Sequence, residues 1–257
     1  MASSGKIVAV IPARYASTRL PAKPLVDLCG KPMIQHVFER AHKSRLVDNV
    51  IVATDDTRIE NVVKSFGGNV IMTPTDIKSG SDRIAFVANK LCDAKIIINV
   101  QGDEPLIEPA MIDQAIKPLL ESSSYNVSTL IKKITTAEEL HNPNVPKVIV
   151  NTDQCAIYFS RNPIPYLRDV DMDEWHLQHT YYKHIGLYVY RKEFLKIYTS
   201  WQESELEKAE KLEQLRIIEN GEKIKVVITE YDSIPVDTPE DAERVRLLLQ
   251  NKEDGKK

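Results

Sequence analysis

Residues 6–25 read KIVAVIPARYASTRLPAKPL. After Lys6, the five residues 7–11 are apolar and largely β-branched with no polar alternation, which is how a strand buried on both faces of a parallel sheet is written. The chain then turns cationic and polar, with Arg14, Ser17, Thr18, Arg19 and Lys23 within ten residues. A buried strand that ends in a charged loop is the edge at which open α/β sheets bind ligands. Three further runs resemble the first, at 49–53, 69–72 and 95–100, and stretches with helical spacing lie between them at 32–44, 56–66 and 82–91. Pro32 suits a first helical turn and Gly67-Gly68 a stop. The pattern predicts an α/β fold with a doubly wound, mostly parallel, Rossmann-like sheet.

Beyond a helix expected at 109–120, the rhythm changes. Strands are expected at 127–131, 156–159 and 184–190, separated by Pro-rich and polar connections, then a helix at 203–218, a returning strand at 223–228 and a last helix at 239–249 capped by Asp237 or Thr238. Residues 251–257 read as a frayed tail. The organisation predicted is one domain over 1–257, with a smaller mixed α/β subdomain at approximately 126–200.

Composition narrows the function classes. A chain of 257 residues that is 42% hydrophobic and 28% charged can bury a sizeable core. Its formal net charge of -3 argues against a basic nucleic-acid-binding surface. Cys29, Cys92 and Cys155 form no C-x-x-C pair and supply no cysteine zinc cluster; they are expected to be reduced and mostly buried. No segment has membrane-spanning length and the start of the chain has no long apolar h-region, so a cytoplasmic protein without membrane partners is expected.

Three segments carry chemistry. The loop 11–25 lacks the spacing of a P-loop or of a dinucleotide-binding turn, so side-chain cations must do the phosphate binding there, Arg by its fork and Lys as a point charge. In 96–107, IIINVQGDEPLI, a buried strand delivers Gln101, Gly102, Asp103 and Glu104 to the same edge. A carboxylate so placed can hold magnesium against a substrate phosphate, since that ion uses one or two protein carboxylates. A bland alternative makes Asp103 a turn or capping residue. In 236–241, VDTPED, Asp237 is either a helix cap or a second magnesium ligand.

Taken together and in order, IPARYASTRLPAKPL, VATDD, SGSDR, NVQGDEP, YFSRNPIP, HIGLYVYR, LEQLR and VDTPED resemble the 3-deoxy-manno-octulosonate (Kdo) cytidylyltransferases. The similarity covers nearly the whole chain. It implies a magnesium-dependent transfer of CMP from CTP to Kdo with release of pyrophosphate, serving lipopolysaccharide synthesis, and a homodimer. It implies that Arg14, Ser17 and Lys23 contact the triphosphate, with Lys23, Arg14 and Asp103 catalytic, and that Ser79, Gly80 and Arg83 help form the nucleotide pocket. Asp103 and Asp237 would hold magnesium. Gln101, Arg161, His184, Tyr188, Glu213 and Gln214 would face the acidic sugar, with Arg161 and His184 chemically suited to its carboxylate.

Two departures stand out. The family usually has Gly where Ala22 stands, and the added methyl disfavours a positive φ in the loop. It usually has SGTER where this chain has SGSDR, so Asp82 is one methylene short. The competing readings are a cytidylyltransferase for 8-amino-Kdo or another acidic sugar, and a catalytically silent nucleotide-sugar-binding protein.

Overall fold

The computed structural model describes residues 5–16, 19–77 and 79–254, with side chains to 251. In chain order the elements are β1 (Lys6–Ala13), β2 (Asp27–Leu28), β3 (Lys31–Pro32), α1 (Met33–His42), β4 (Asn49–Thr54), α2 (Thr57–Ser65), β5 (Asn69–Met72), α3 (Gly80–Lys90), β6 (Ala94–Asn99) and α4 (Pro109–Glu121). They continue as β7 (Val127–Lys133), α5 (Ala137–His141), β8 (Lys147–Val150), β9 (Ala156–Ser160), α6 (Trp175–Gln178), β10 (Tyr182–Arg191), α7 (Lys192–Ser200), α8 (Glu205–Glu210), α9 (Leu215–Glu219), β11 (Ile224–Ile228) and α10 (Pro239–Asp254). Among the described residues the chain forms two compact units, one of residues up to Asp113 together with those from Ser233, the other Gln114–Asp232.

In the first unit β1 pairs in parallel with β4 and with β6, and β4 in parallel with β5. Chain order runs outward from β1 to β4 and β5 and then returns to the other side of β1 for β6. The sheet therefore has its topological switch between β1 and β6, and the crevice beyond their carboxyl ends is where such sheets take ligands. The apolar runs are buried as read: Val8, Ala9, Val10, Ile11, Val50, Val52, Ile97 and Ile98 are at most 2% exposed. A second cluster of Leu20, Leu28, Met33, Leu106, Val236 and Val245 fixes the cationic loop and α10 to the base of this unit.

The second unit is a mixed sheet. β11 runs parallel to β7, while β7–β10, β10–β8 and β8–β9 are antiparallel. Ile134, Leu140, Trp175 and Tyr181 make a small core beneath it.

Several expectations change. The helix expected at 203–218 is two helices, α8 and α9, because Lys211 turns left-handed at φ 53° and the carbonyls of Glu210 and Lys211 are taken by the Arg161 guanidinium instead of by later amides. The strand β8 and the helices α5, α6 and α7 were not legible. Residues 251–254, expected to fray, complete α10. Pro32 precedes α1 in an extended conformation, φ -64° and ψ 145°. Cys29 and Cys92 are exposed and only Cys155 is buried, because Cys29 occupies a left-handed turn position, φ 55°, and Cys92 the turn that leads into β6.

Candidate active site

β1 and β6 set the geometry. Gly102 lies so close to β1 that a Cβ on it would stand 2.7 Å from the Pro12 carbonyl oxygen, so only glycine lets the two strand ends approach there. A cleft of about 440 Å³ opens beyond them, lined by Arg14, Arg19, Lys23, Gly80, Gln101, Asp103 and Asp237. Asp237 is brought in by a backbone bond from the Val236 N–H to the Asp103 carbonyl, 2.9 Å. The question of what caps the last helix is settled by Thr238, whose hydroxyl accepts from the Asp241 N–H at 3.2 Å while Asp241 accepts from the Thr238 N–H at 2.9 Å. That reciprocal cap leaves the Asp237 carboxylate for the cleft.

Lys23 occupies the centre. Its ammonium donates to Asp103 Oδ2 at 2.6 Å and to Asp237 Oδ1 at 2.8 Å, and Arg19 donates to the same Asp237 oxygen at 3.0 Å. Burial works to lower the ammonium pKa, but the two carboxylates outweigh it and the net shift is upward, so Lys23 is a fixed positive charge. Arg14 donates to the Ile77 carbonyl, and the neighbouring Tyr15 ring carries the Arg58 guanidinium 3.3 Å from its centroid. Ala22, expected to resist a positive φ, adopts φ 54° and ψ 30° just ahead of the turn Lys23–Leu25. The conformation expected of glycine is kept here despite the methyl.

The remaining nucleotide-side expectations divide. Gly80 lines the cleft. Ser79 caps α3, accepting from the Asp82 N–H at 3.0 Å. Arg83 is fully buried, donating to Asp55 Oδ2 at 2.7 Å and to the Thr73 hydroxyl, so it braces the floor of the first unit. Ser17 lies outside the described residues. Glu104, beside Asp103, turns inward; burial first, then the Asp103 charge, push its pKa up to about 7.

In the second unit the expected sugar-facing residues are tied down. Arg161 donates to the carbonyls of Glu210 (2.6 Å), Pro143 (3.0 Å) and Lys211 (3.3 Å). His184 shares a 3.0 Å hydrogen bond with Thr129 and packs edge-on against Phe159, and burial lowers its pKa to about 3. Burial therefore holds the imidazole neutral, and of the two kinds of partner a carboxylate takes, cationic or hydrogen-bonding, His184 is suited to the second. Tyr188 is 9% exposed between His184 and Tyr190. Gln214, 5% exposed, is the N-cap residue before α9 and its side-chain nitrogen has no partner among the described residues. Glu213 lies next to it, and its carbonyl accepts from the Tyr198 hydroxyl at 3.3 Å.

Sequence reasoning did not single out Arg58, Asp55 or Glu210. The first two lay within reach of the VATDD signal, while Glu210 gave none, because its role depends on the αL break after it.

The family model described as cytidylyltransferase matches residues 8–224. The 3-deoxy-manno-octulosonate cytidylyltransferase of Geotalea uraniireducens is 55% identical to this chain over 95% of it and 99% of the relative. The chain belongs to the 3-deoxy-manno-octulosonate cytidylyltransferase family. Its relative of that description from Geobacter sulfurreducens is 52% identical over 95% of this chain and 99% of its own length. A solved structure of CMP:2-keto-3-deoxy-manno-octonic acid synthetase complexed with CTP superposes with a TM-score of 0.90 at 46% identity, covering 96% of this chain and 99% of that one. In this chain the switch-point cleft brings Arg14, Arg19 and Lys23 together with Asp103 and Asp237.

Proposed function

We propose that this cytidylyltransferase joins CTP and Kdo to give CMP-Kdo and pyrophosphate, activating the sugar for lipopolysaccharide synthesis in the cytoplasm, and that it works as a homodimer. The observation that carries the reading is the Lys23, Asp103, Asp237 cluster at the sheet's switch point in a chain of this family.

The anomeric 2-hydroxyl of Kdo attacks the α-phosphorus of CTP in line, and pyrophosphate leaves. Arg14, Lys23 and Ser17 hold the triphosphate, and the two cations offset charge that builds on the departing group, the main electrostatic task in such a transfer. Gln101 lines the cleft together with Asp103. Arg161, His184, Tyr188, Glu213 and Gln214 contact the sugar acid as preset hydrogen-bonding groups.

The donor set fits magnesium. Asp103 and Asp237 already share one cation, the Lys23 ammonium. The described residues contain no cluster of three or more acidic, His or Cys side chains able to hold a metal, so phosphate oxygens and water would complete the shell, as this ion prefers. Asp103 and Asp237 would hold it, and it would supply Lewis-acid polarisation of the phosphate and a more acidic hydroxyl.

The test is pyrophosphate release from CTP and magnesium with Kdo, 8-amino-Kdo or sialic acid supplied in parallel. Release with Kdo supports the reading, and silence with all three acids overturns it. Light scattering tests the dimer.

A further inference from the structure

The neighbourhood of Arg161 holds more positive charge than its own structure needs. Lys147, on β8, is fully buried, and its ammonium donates to the Asn142 carbonyl at 2.9 Å. Arg161, just past β9, donates to the next carbonyl, that of Pro143. Two cations from adjacent strands thus hold one turn, 142–146, whose Pro146 carbonyl accepts from the His184 N–H at 2.8 Å. The anion that opposes them is Glu210, and its carboxylate is already engaged by the Ser160 hydroxyl at 2.8 Å and the Arg161 N–H at 2.9 Å. The other charged group in register with Lys147 is Lys183 on β10, whose ammonium is neutralised by Glu139 of α5 and Asp232. Among the described residues, Lys147 and Arg161 against Glu210 leave a net charge of +1 in a half-buried cluster, and an unbalanced charge there is costly until an anion arrives.

We propose that Lys147 is a positioning residue for the sugar acid: it fixes the 142–146 turn beneath Arg161 and supplies the excess positive charge that the substrate carboxylate balances. This rests on the proposed sugar-facing role of Arg161. Burial, then the Arg161 charge, lower the Lys147 pKa to about 8 with Glu210 opposing, so the charge is present at neutral pH and is lost as pH rises through that value. An anion beside the cluster favours the protonated form, so sugar binding above that pH takes up a proton.

The experiment measures initial rates of pyrophosphate release at saturating CTP and magnesium, with Kdo varied, from about pH 6.5 to about pH 9.5. In the wild type the KM for Kdo is expected to be flat below about pH 8 and to rise above it, levelling off about tenfold higher by about pH 9.5. Lys147→Met should raise that KM about tenfold at neutral pH, leave the KM for CTP within about twofold, and abolish the pH dependence. Lys147→Arg, which keeps its charge throughout, should restore a low KM that is flat to high pH. A wild-type KM that stays flat through pH 8, or a Lys147→Met enzyme with unaltered KM for Kdo, overturns the inference. If Lys147→Met does not fold, the wild-type and Lys147→Arg profiles decide. Arg161→Lys separates the two levels: a raised KM for Kdo there with none in Lys147→Met sinks only the role of Lys147, whereas no change in either variant sinks the sugar-site reading itself.

Discussion

The cleft of the first unit and the candidate sugar residues of the second are built on opposite plans. In the cleft, charged side chains stand on loops at strand ends and meet one another: Lys23 finds two carboxylates, and Asp237 also receives Arg19. In the second unit the candidates are bound to the fold, Arg161 by three carbonyls, His184 by Thr129 and an aromatic neighbour, Tyr188 between rings. Charges held by one another suit a group whose own charge changes in the reaction, while donors tied to the backbone suit shape and hydroxyl recognition. The difference suggests that the first region governs turnover and the second selectivity.

The contrast breaks most visibly at Lys23. Lys23→Met is expected to lower kcat roughly 100-fold or more, the usual cost of deleting a preorganised charge, measured by pyrophosphate release at saturating substrates. A small loss would place turnover elsewhere. Asp103→Asn should sharply raise the magnesium concentration needed for half-maximal rate, measured by titrating the metal.

Arg161 sharpens the other side. Arg161→Ala strands carbonyls at three sites and should cost about 2 kcal/mol in urea unfolding, whereas the same change at Arg19, which is 67% exposed in its side chain, should cost under about 0.5 kcal/mol.

His184 gives a pH test. Its pKa is about 3 in the folded protein against 6.5 as the ordinary value, so the unfolded chain binds the extra proton and stability falls as pH drops from 6.5 towards 3. The slope from this residue approaches about 1.4 kcal/mol per pH unit, and His184→Phe should remove it from the acid limb of a stability profile.

The smallest effect is expected at Ala22. Ala22→Gly relieves a left-handed alanine, worth about 1 kcal/mol, but frees the unfolded chain by a similar amount, so the urea midpoint and kcat should hardly move. A large loss of activity would mean that the methyl itself shapes the loop.

What could be read from the sequence follows the same division. β1, β4 and β6 were legible because parallel strands buried on both faces are written as continuous apolar runs, and the carboxyl ends of β1 and β6 locate Lys23 and Asp103 without any structure. The second unit resisted because its constraints are tertiary. No local signal near 203–218 announces that a guanidinium some fifty positions earlier will take the carbonyls at 210 and 211 and end a helix there. Likewise nothing in HIGLYVYR announces that burial and the edge-on ring of Phe159 will hold the His184 imidazole neutral. Ser79 and Arg83 sit in a motif that serves capping and bracing, and motif spacing alone does not separate those tasks from ligand contact.

The ammonium between Asp103 and Asp237 also bears on how the protein is handled. Two acidic groups that face each other normally need an outside ion to keep the surrounding loops in place. Here the chain brings its own, so a divalent ion would enter by exchange with an internal tenant rather than by filling a gap. A chelated preparation should then be idle yet intact, with its melting curve unshifted, and should regain full activity when the ion is returned.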